Sequence, residues 1–293
     1  MKTAASFICA LFLVLSSLPA QAASPKGVLI VAFGTSMASA MPSFDAIDKA
    51  YKAAYRGQPV VWAYTSDIIR KKLAKEGKTV FSVNQAMNEC ARLGITDLRV
   101  QSLHVTGGEE YSMLQRMLVK NLVKHPGRFE HVWLGKPLLE SAQDLDEVAG
   151  AVIKDAAKGR KAGEALVLMG HGNDRGPGDL TMRAVAQGFK AKDPLVYVAT
   201  VEGANGFDAV LPQLRQAGVK TCHLAPLMVV AGDHANNDLA GAEEDSWASQ
   251  IKKEGMTPVP HLVGLGQLPA VRAVYLRHTR DAKDDLAHPK KSD

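Results

Sequence analysis

The 293-residue sequence predicts an α/β fold of two similar domains, each a parallel four-stranded sheet flanked by helices, facing one another across a cleft. Three observations predict it. Short apolar runs alternate with amphipathic stretches along the chain, the signature of strand–helix–strand units. Runs such as GVLIVAF at 27–33 and EALVLMG at 164–170 are apolar throughout, as expected of strands covered on both faces. Finally, the first four runs are echoed, in the same order, by the next four.

Taken in order, strands are expected at 28–33, 59–64, 98–104 and 131–134, then at 165–170, 194–200, 221–229 and 259–263. Helical patterns lie between them, among others at 43–56, 79–93, 109–124 and 140–158. The echo is specific. GVLIVAFGTS parallels EALVLMGHGN, and VWLGKPL parallels HLVGLGQL. PVVWAYTSD parallels PLVYVATVE, setting Thr65 against Thr200 and Asp67 against Glu202. SLHVTGGEE parallels PLMVVAGDH, setting Glu110 against His234. These matches divide the chain into a domain at 24–158 and a second at 159–283, joined near 155–164, with a polar tail at 284–293 that is expected to fray.

Residues 1–23 read as a secretory signal: Lys2, an apolar run from Phe7 to Leu18, then Ala20-Gln21-Ala22 as a small-residue cleavage site. The run is shorter than the roughly 20 residues that span a bilayer. A periplasmic product, with no membrane insertion after cleavage, is therefore expected. Cys9 leaves with the signal. Cys90 and Cys222 sit in apolar contexts and are expected to be buried small hydrophobes rather than a disulfide framework. The net charge of +5 is scattered, with a small cluster at Arg70-Lys71-Lys72 that reads as a solvated helix face. No basic stripe for nucleic acid is present.

In open α/β sheets, ligands bind beyond the carboxyl ends of the strands. That rule lines the cleft with 34–36, 65–67 and 104–110 on one side and 171–173, 200–203 and 231–234 on the other. Three side chains there carry chemistry. His171 follows a strand between Gly170 and Gly172, where the backbone can turn sharply and a ligand can approach. Glu202 ends an apolar strand, where it must face the cleft or a cation, or serve as a charge at the start of a helix. His234 follows Asp233, a reasonable N-cap, and would open a helix whose dipole favours neutral imidazole, the metal-ligating form. Together they form an N, N, O set suited to borderline divalent metals, with positions left open for a substrate. No GxxxxGK[ST] loop for ATP and no GxGxxG fingerprint for NAD occurs. Gly34-Thr35-Ser36 is not a nucleophile elbow.

The blocks FGTS at 33–36, SLHVTGGEEY at 102–111, MGHG at 169–172, VE at 201–202 and PLMVVAGDHANND at 226–238 resemble the anaerobic-type sirohydrochlorin cobalt chelatases. DSWASQI at 245–251 and GLGQLPAVR at 264–272 extend the likeness to about residue 280. The resemblance implies a ferrochelatase-like fold, an ATP-independent enzyme and a sirohydrochlorin or related tetrapyrrole in the cleft. It also implies that His171, Glu202 and His234 are both metal-binding and catalytic, with cobalt as the metal inserted. Export sets the chain apart from cytoplasmic cobalamin assembly, and iron is the obvious variant, since N and O ligands accept either metal.

A non-enzymatic alternative is an exported haem or metal carrier that kept the fold. His125, beside Pro126 at a helix end, would then be the haem ligand, with His104 and His131 as other spare histidines. A transport-type metal-binding protein ranks last, because no His-rich loop exists. Homo-oligomerisation through helix faces stays open. Mass spectrometry of the exported protein is expected to find an N-terminus near Ser24; intact Met1 on a membrane-bound product would overturn the signal assignment.

Overall fold

The computed structural model describes residues 24–156, 158–172 and 178–289; the expected signal and its cleavage site lie outside them. In the first half the elements are β1 (Lys26–Ala32), α1 (Met41–Ala54), β2 (Val60–Tyr64), α2 (Asp67–Lys75), α3 (Val83–Arg92), β3 (Asp97–Ser102), α4 (Glu109–Lys124) and β4 (His131–Gly135). In the second half they are α5 (Ala142–Ala156), β5 (Ala165–Gly172), α6 (Gly178–Lys192), β6 (Val196–Glu202), α7 (Leu211–Gln216), β7 (Thr221–Pro226), α8 (Trp247–Lys253), β8 (Thr257–Pro260), α9 (Pro269–Arg280) and β9 (Asp284–Asp285). The sheets run β2-β1-β3-β4-β9 and β6-β5-β7-β8. Without β9 the two orders are identical, as the repeated sequence blocks require, and every pair is parallel except β4 with β9.

Alternation within the strands explains why they are apolar throughout. Val28, Ile30 and Ala32 face one cluster while Leu29 and Val31 face another. Leu166 and Leu168 join the first of these, and Ala165, Val167 and Met169 a third. The first cluster therefore belongs to both sheets at once. Cys90 and Cys222 are free and buried, as expected.

Helix starts follow their caps. Ser82 and Gln85 form a reciprocal capping box, which begins α3 at Val83 rather than at 79. Ser66 accepts from the amide of Ile69 and starts α2, which carries Arg70, Lys71 and Lys72. Pro226 closes β7 three residues before the expected end. In contrast, β5 and β6 each run two residues beyond the expected bounds, so His171 lies within a strand end rather than after it, and Glu202 ends β6 as expected.

Two expectations about domain organisation are corrected. The unit at 24–158 and the unit at 159–283 exchange helices. Within the second, α9 returns to the first sheet: Arg99 donates to the carbonyls of Thr279 (2.7 Å) and Arg280 (2.9 Å), and the Tyr275 hydroxyl donates to Leu103 O (3.0 Å). Conversely, α5 packs on α6, where a Cβ on Gly188 would lie 2.5 Å from Leu145 Cδ2. The tail does not fray over its described part. Asp284 and Asp285 pair with Leu134 and Trp133, and Leu286 and Ala287 pack on the first domain's core.

Candidate metal-handling cleft

His171 and Glu202 project from neighbouring strands, since Gly172 pairs with Glu202. Gly172 is required in this position. Its φ is +82°, and a Cβ would fall 2.0 Å from Glu202 O. His171 Nδ1 lies 3.8 Å from Glu202 Oε2 and 3.2 Å from Gly172 O. His234 arrives from the loop after β7, and its ring centroid lies 5.1 Å from that of His171 at 84°. The structure thus brings all three sequence-selected residues to one place. Both His171 and Glu202 are 48 % exposed, so the group is open to solvent.

Asp233 is not the N-cap. It lies inside the helical turn, and its carboxylate accepts from Asn237 Nδ2 at 3.1 Å. The turn continues as a π-type segment, Ala235–Leu239. Asp238 Oδ2 sits 2.8 Å from His234 Nδ1, a contact that fixes the ring. Asp238 was not singled out in the sequence. The signal was its i+4 spacing from His234.

The opposite wall comes from the first sheet. A Cβ on Gly232 would lie 3.8 Å from Thr35 Oγ1, and Asn236 Nδ2 is 3.9 Å from Met37 Sδ, so the loops 34–37 and 231–236 meet across the cleft. Glu110, opposite His234 in the repeat, opens α4. Its carboxylate accepts from Thr65 Oγ1 at 3.4 Å and lies 3.9 Å from His104 Nε2. Burial raises its pKa against the lowering effects of Thr65 and His171, which puts this carboxylate within the field of the trio. Asp67, opposite Glu202, is not brought in; it is 58 % exposed and paired with Arg70 and Lys71. Those two cations are thereby engaged on the α2 surface.

His104 lies beneath Glu110, with Nδ1 2.7 Å from Ser102 Oγ and Nε2 buried without a hydrogen-bond partner. Burial lowers its pKa to about 4. His125 is elsewhere, at the C-terminal end of α4, about 22 Å from Glu110 by the helical rise. It is half-buried, and desolvation with the charges of Arg128 and Lys124 lowers its pKa. His131 is also remote, at the start of β4.

The His104 shift has a consequence for stability. Unfolded, this imidazole protonates near 6.5, and folded only near 4. The unfolded state therefore binds the extra proton between those values, and stability that is full above pH 6.5 is lost as pH falls toward 4. Urea unfolding across this range is expected to show a loss of up to about 3 kcal/mol that His104→Gln removes. An unchanged pH slope in the variant would overturn the assignment.

The family model described as cobalt chelatase (CbiK) matches residues 26–284. A sirohydrochlorin cobaltochelatase, CbiKC, of Nitratidesulfovibrio vulgaris strain Hildenborough is 34% identical over 261 residues, covering 89% of this chain and 92% of the relative. The sirohydrochlorin cobaltochelatase of Salmonella typhimurium strain LT2 is 34% identical over 265 residues, covering 88% and 96%. The crystal structure of the sirohydrochlorin chelatase SirB from Bacillus subtilis subspecies spizizenii in complex with cobalt shares the fold, with a TM-score of 0.60 at 15% identity over 87% of this chain and 94% of that one. By the extent of the family match and the identity to these relatives, the chain belongs to the cobalt chelatase (CbiK) family.

Proposed function

We propose that this chain inserts Co2+, or Fe2+, into sirohydrochlorin or a related tetrapyrrole without ATP, using His171, Glu202 and His234 as metal ligands in the cleft. The observation that carries the reading is the convergence of two imidazoles 5.1 Å apart with a carboxylate 3.8 Å from one of them. Such N, N, O donors take borderline divalent metals. With Nδ1 of His234 donating to Asp238, its Nε2 lone pair is left for the metal.

Insertion exchanges one M2+ for two pyrrole N–H protons, so two proton acceptors must face the macrocycle. Glu202 and Glu110 stand on opposite walls of the cleft and suit that role, as does a histidine released when the metal leaves. Burial raises the pKa of Glu110, which stands on the wall facing the trio and accepts from Thr65 Oγ1. No phosphoanhydride is needed, because the chelated product is the favoured state. Export, if it follows the N-terminal pattern, places this chemistry in the periplasm.

Substituting His171→Ala or His234→Ala is expected to lower insertion by at least about 100-fold, and Asp238→Asn by about 10–100-fold. The macrocycle absorbance change with cobalt and with iron measures this. Full activity in both histidine variants would remove the mechanism.

A supplementary haem site is a separate proposal at His125, the imidazole at the C-terminal end of α4, away from the cleft. Haem bound there would give the purified protein a Soret band that shifts or disappears in His125→Ala. A band unchanged in that variant would exclude His125 as the ligand.

A further inference from the structure

We propose that His131, Asp285 and His288 form a second metal site, for a retained divalent cation of the Zn2+, Co2+ or Ni2+ class, at the end of the first sheet away from the cleft. Among the described residues, this is the group whose three ligand atoms all lie within 4.8 Å of one another. The cleft trio does not close to this degree.

The geometry is close to that of an occupied site. His131 Nδ1 is 2.7 Å and His288 Nδ1 3.1 Å from the same oxygen, Asp285 Oδ2. Ligands bound to zinc at about 2.0–2.1 Å stand about 2.9–3.4 Å apart, so the two His–Asp285 distances already lie within a few tenths of an ångström of that range. Two imidazoles and one carboxylate select a borderline metal over Ca2+ or Mg2+, which prefer all-oxygen shells.

The supports are built in. Asp285 Oδ1 accepts from the amides of Val132 (3.0 Å) and Ala287 (3.1 Å), which orients the carboxylate. The His131 ring stacks on Trp133 with centroids 5.0 Å apart. Asp285 is 10 % exposed, whereas His131 and His288 are 44 % and 66 % exposed, leaving an entry path and room for water ligands. Bound through Nδ1, each neutral imidazole would carry its proton on Nε2, and the cation would tie the chain at His288 to β4.

The site lies at the amino end of β4, whereas the cleft lies beyond the carboxyl ends of β5 and β6. Its occupancy is therefore independent of the proposed insertion chemistry. The test is zinc titration of the mature chain by calorimetry in a His171→Ala/His234→Ala background, with and without His288→Ala. His288→Ala leaves the β9 backbone pairing intact, and Asp285→Asn serves as a second variant. One equivalent of zinc is expected in the background protein, with affinity falling at least about tenfold in either added variant. Zinc should also raise the unfolding temperature of the background protein but not of the His288→Ala form. Zinc stoichiometry and affinity unchanged by His288→Ala, or no zinc bound in the background protein, would overturn the proposal.

Discussion

The buried carboxylate of Asp144 holds the two halves in register. It lies at the start of α5 and is 3 % exposed. It accepts from the amide and hydroxyl of Ser141, from Arg277 at 2.7 Å and from His278 Nε2 at 3.0 Å. Burial pushes its pKa up, yet the hydrogen bonds from Ser141, Arg277 and His278 outweigh that and hold it below the ordinary carboxylate value. Arg277 also reaches Glu147 at 2.7 Å. A buried ion without these donors would be strongly destabilising, so α5 and α9 cannot separate cheaply.

That constraint makes the cleft a fixed object. Since α5 crosses to the second half and α9 crosses back, relative motion of the sheets must break the Asp144 cluster and open the apolar cluster they share. Val148 and Val152 of α5, Val274 and Tyr275 of α9, and Leu166 and Leu168 of β5 all lie in it. Each fully buried large side chain there is worth roughly 1.5–3 kcal/mol. The walls that carry Glu110 and the trio are thereby held at a set separation, as placing a reacting metal demands.

Much of this was legible. Strands apolar on both faces announce themselves, and the repeated blocks predicted two similar parallel sheets, whose shared strand order the structure supplies. His171, Glu202 and His234 were readable because glycines and strand ends mark places where a backbone must turn beside a ligand. The helix exchange was not readable. Periodicity shows that α5 and α9 each have a buried face, but not which sheet receives it. The His131–Asp285 contact joins residues 154 positions apart, and no local pattern encodes such a meeting. The tail misled for a related reason: its charges suggested solvent, although edge strands are commonly charged.

The two sheets share one strand order but differ at the positions that the sequence repeat sets against each other. At equivalent positions the second half has Glu202 and His234, and the first has Asp67 and Glu110. In the proposed reaction, His171, Glu202 and His234 on one wall would present the metal, and Glu110 on the facing wall would take up a proton, so transfer would have a direction. The spread of the trio fits that task, because an ion that must leave is served by open coordination and exposed ligands. The His131, Asp285 and His288 group differs in spacing rather than in exposure: its three ligand atoms lie within 4.8 Å of one another around a carboxylate oriented by two backbone amides.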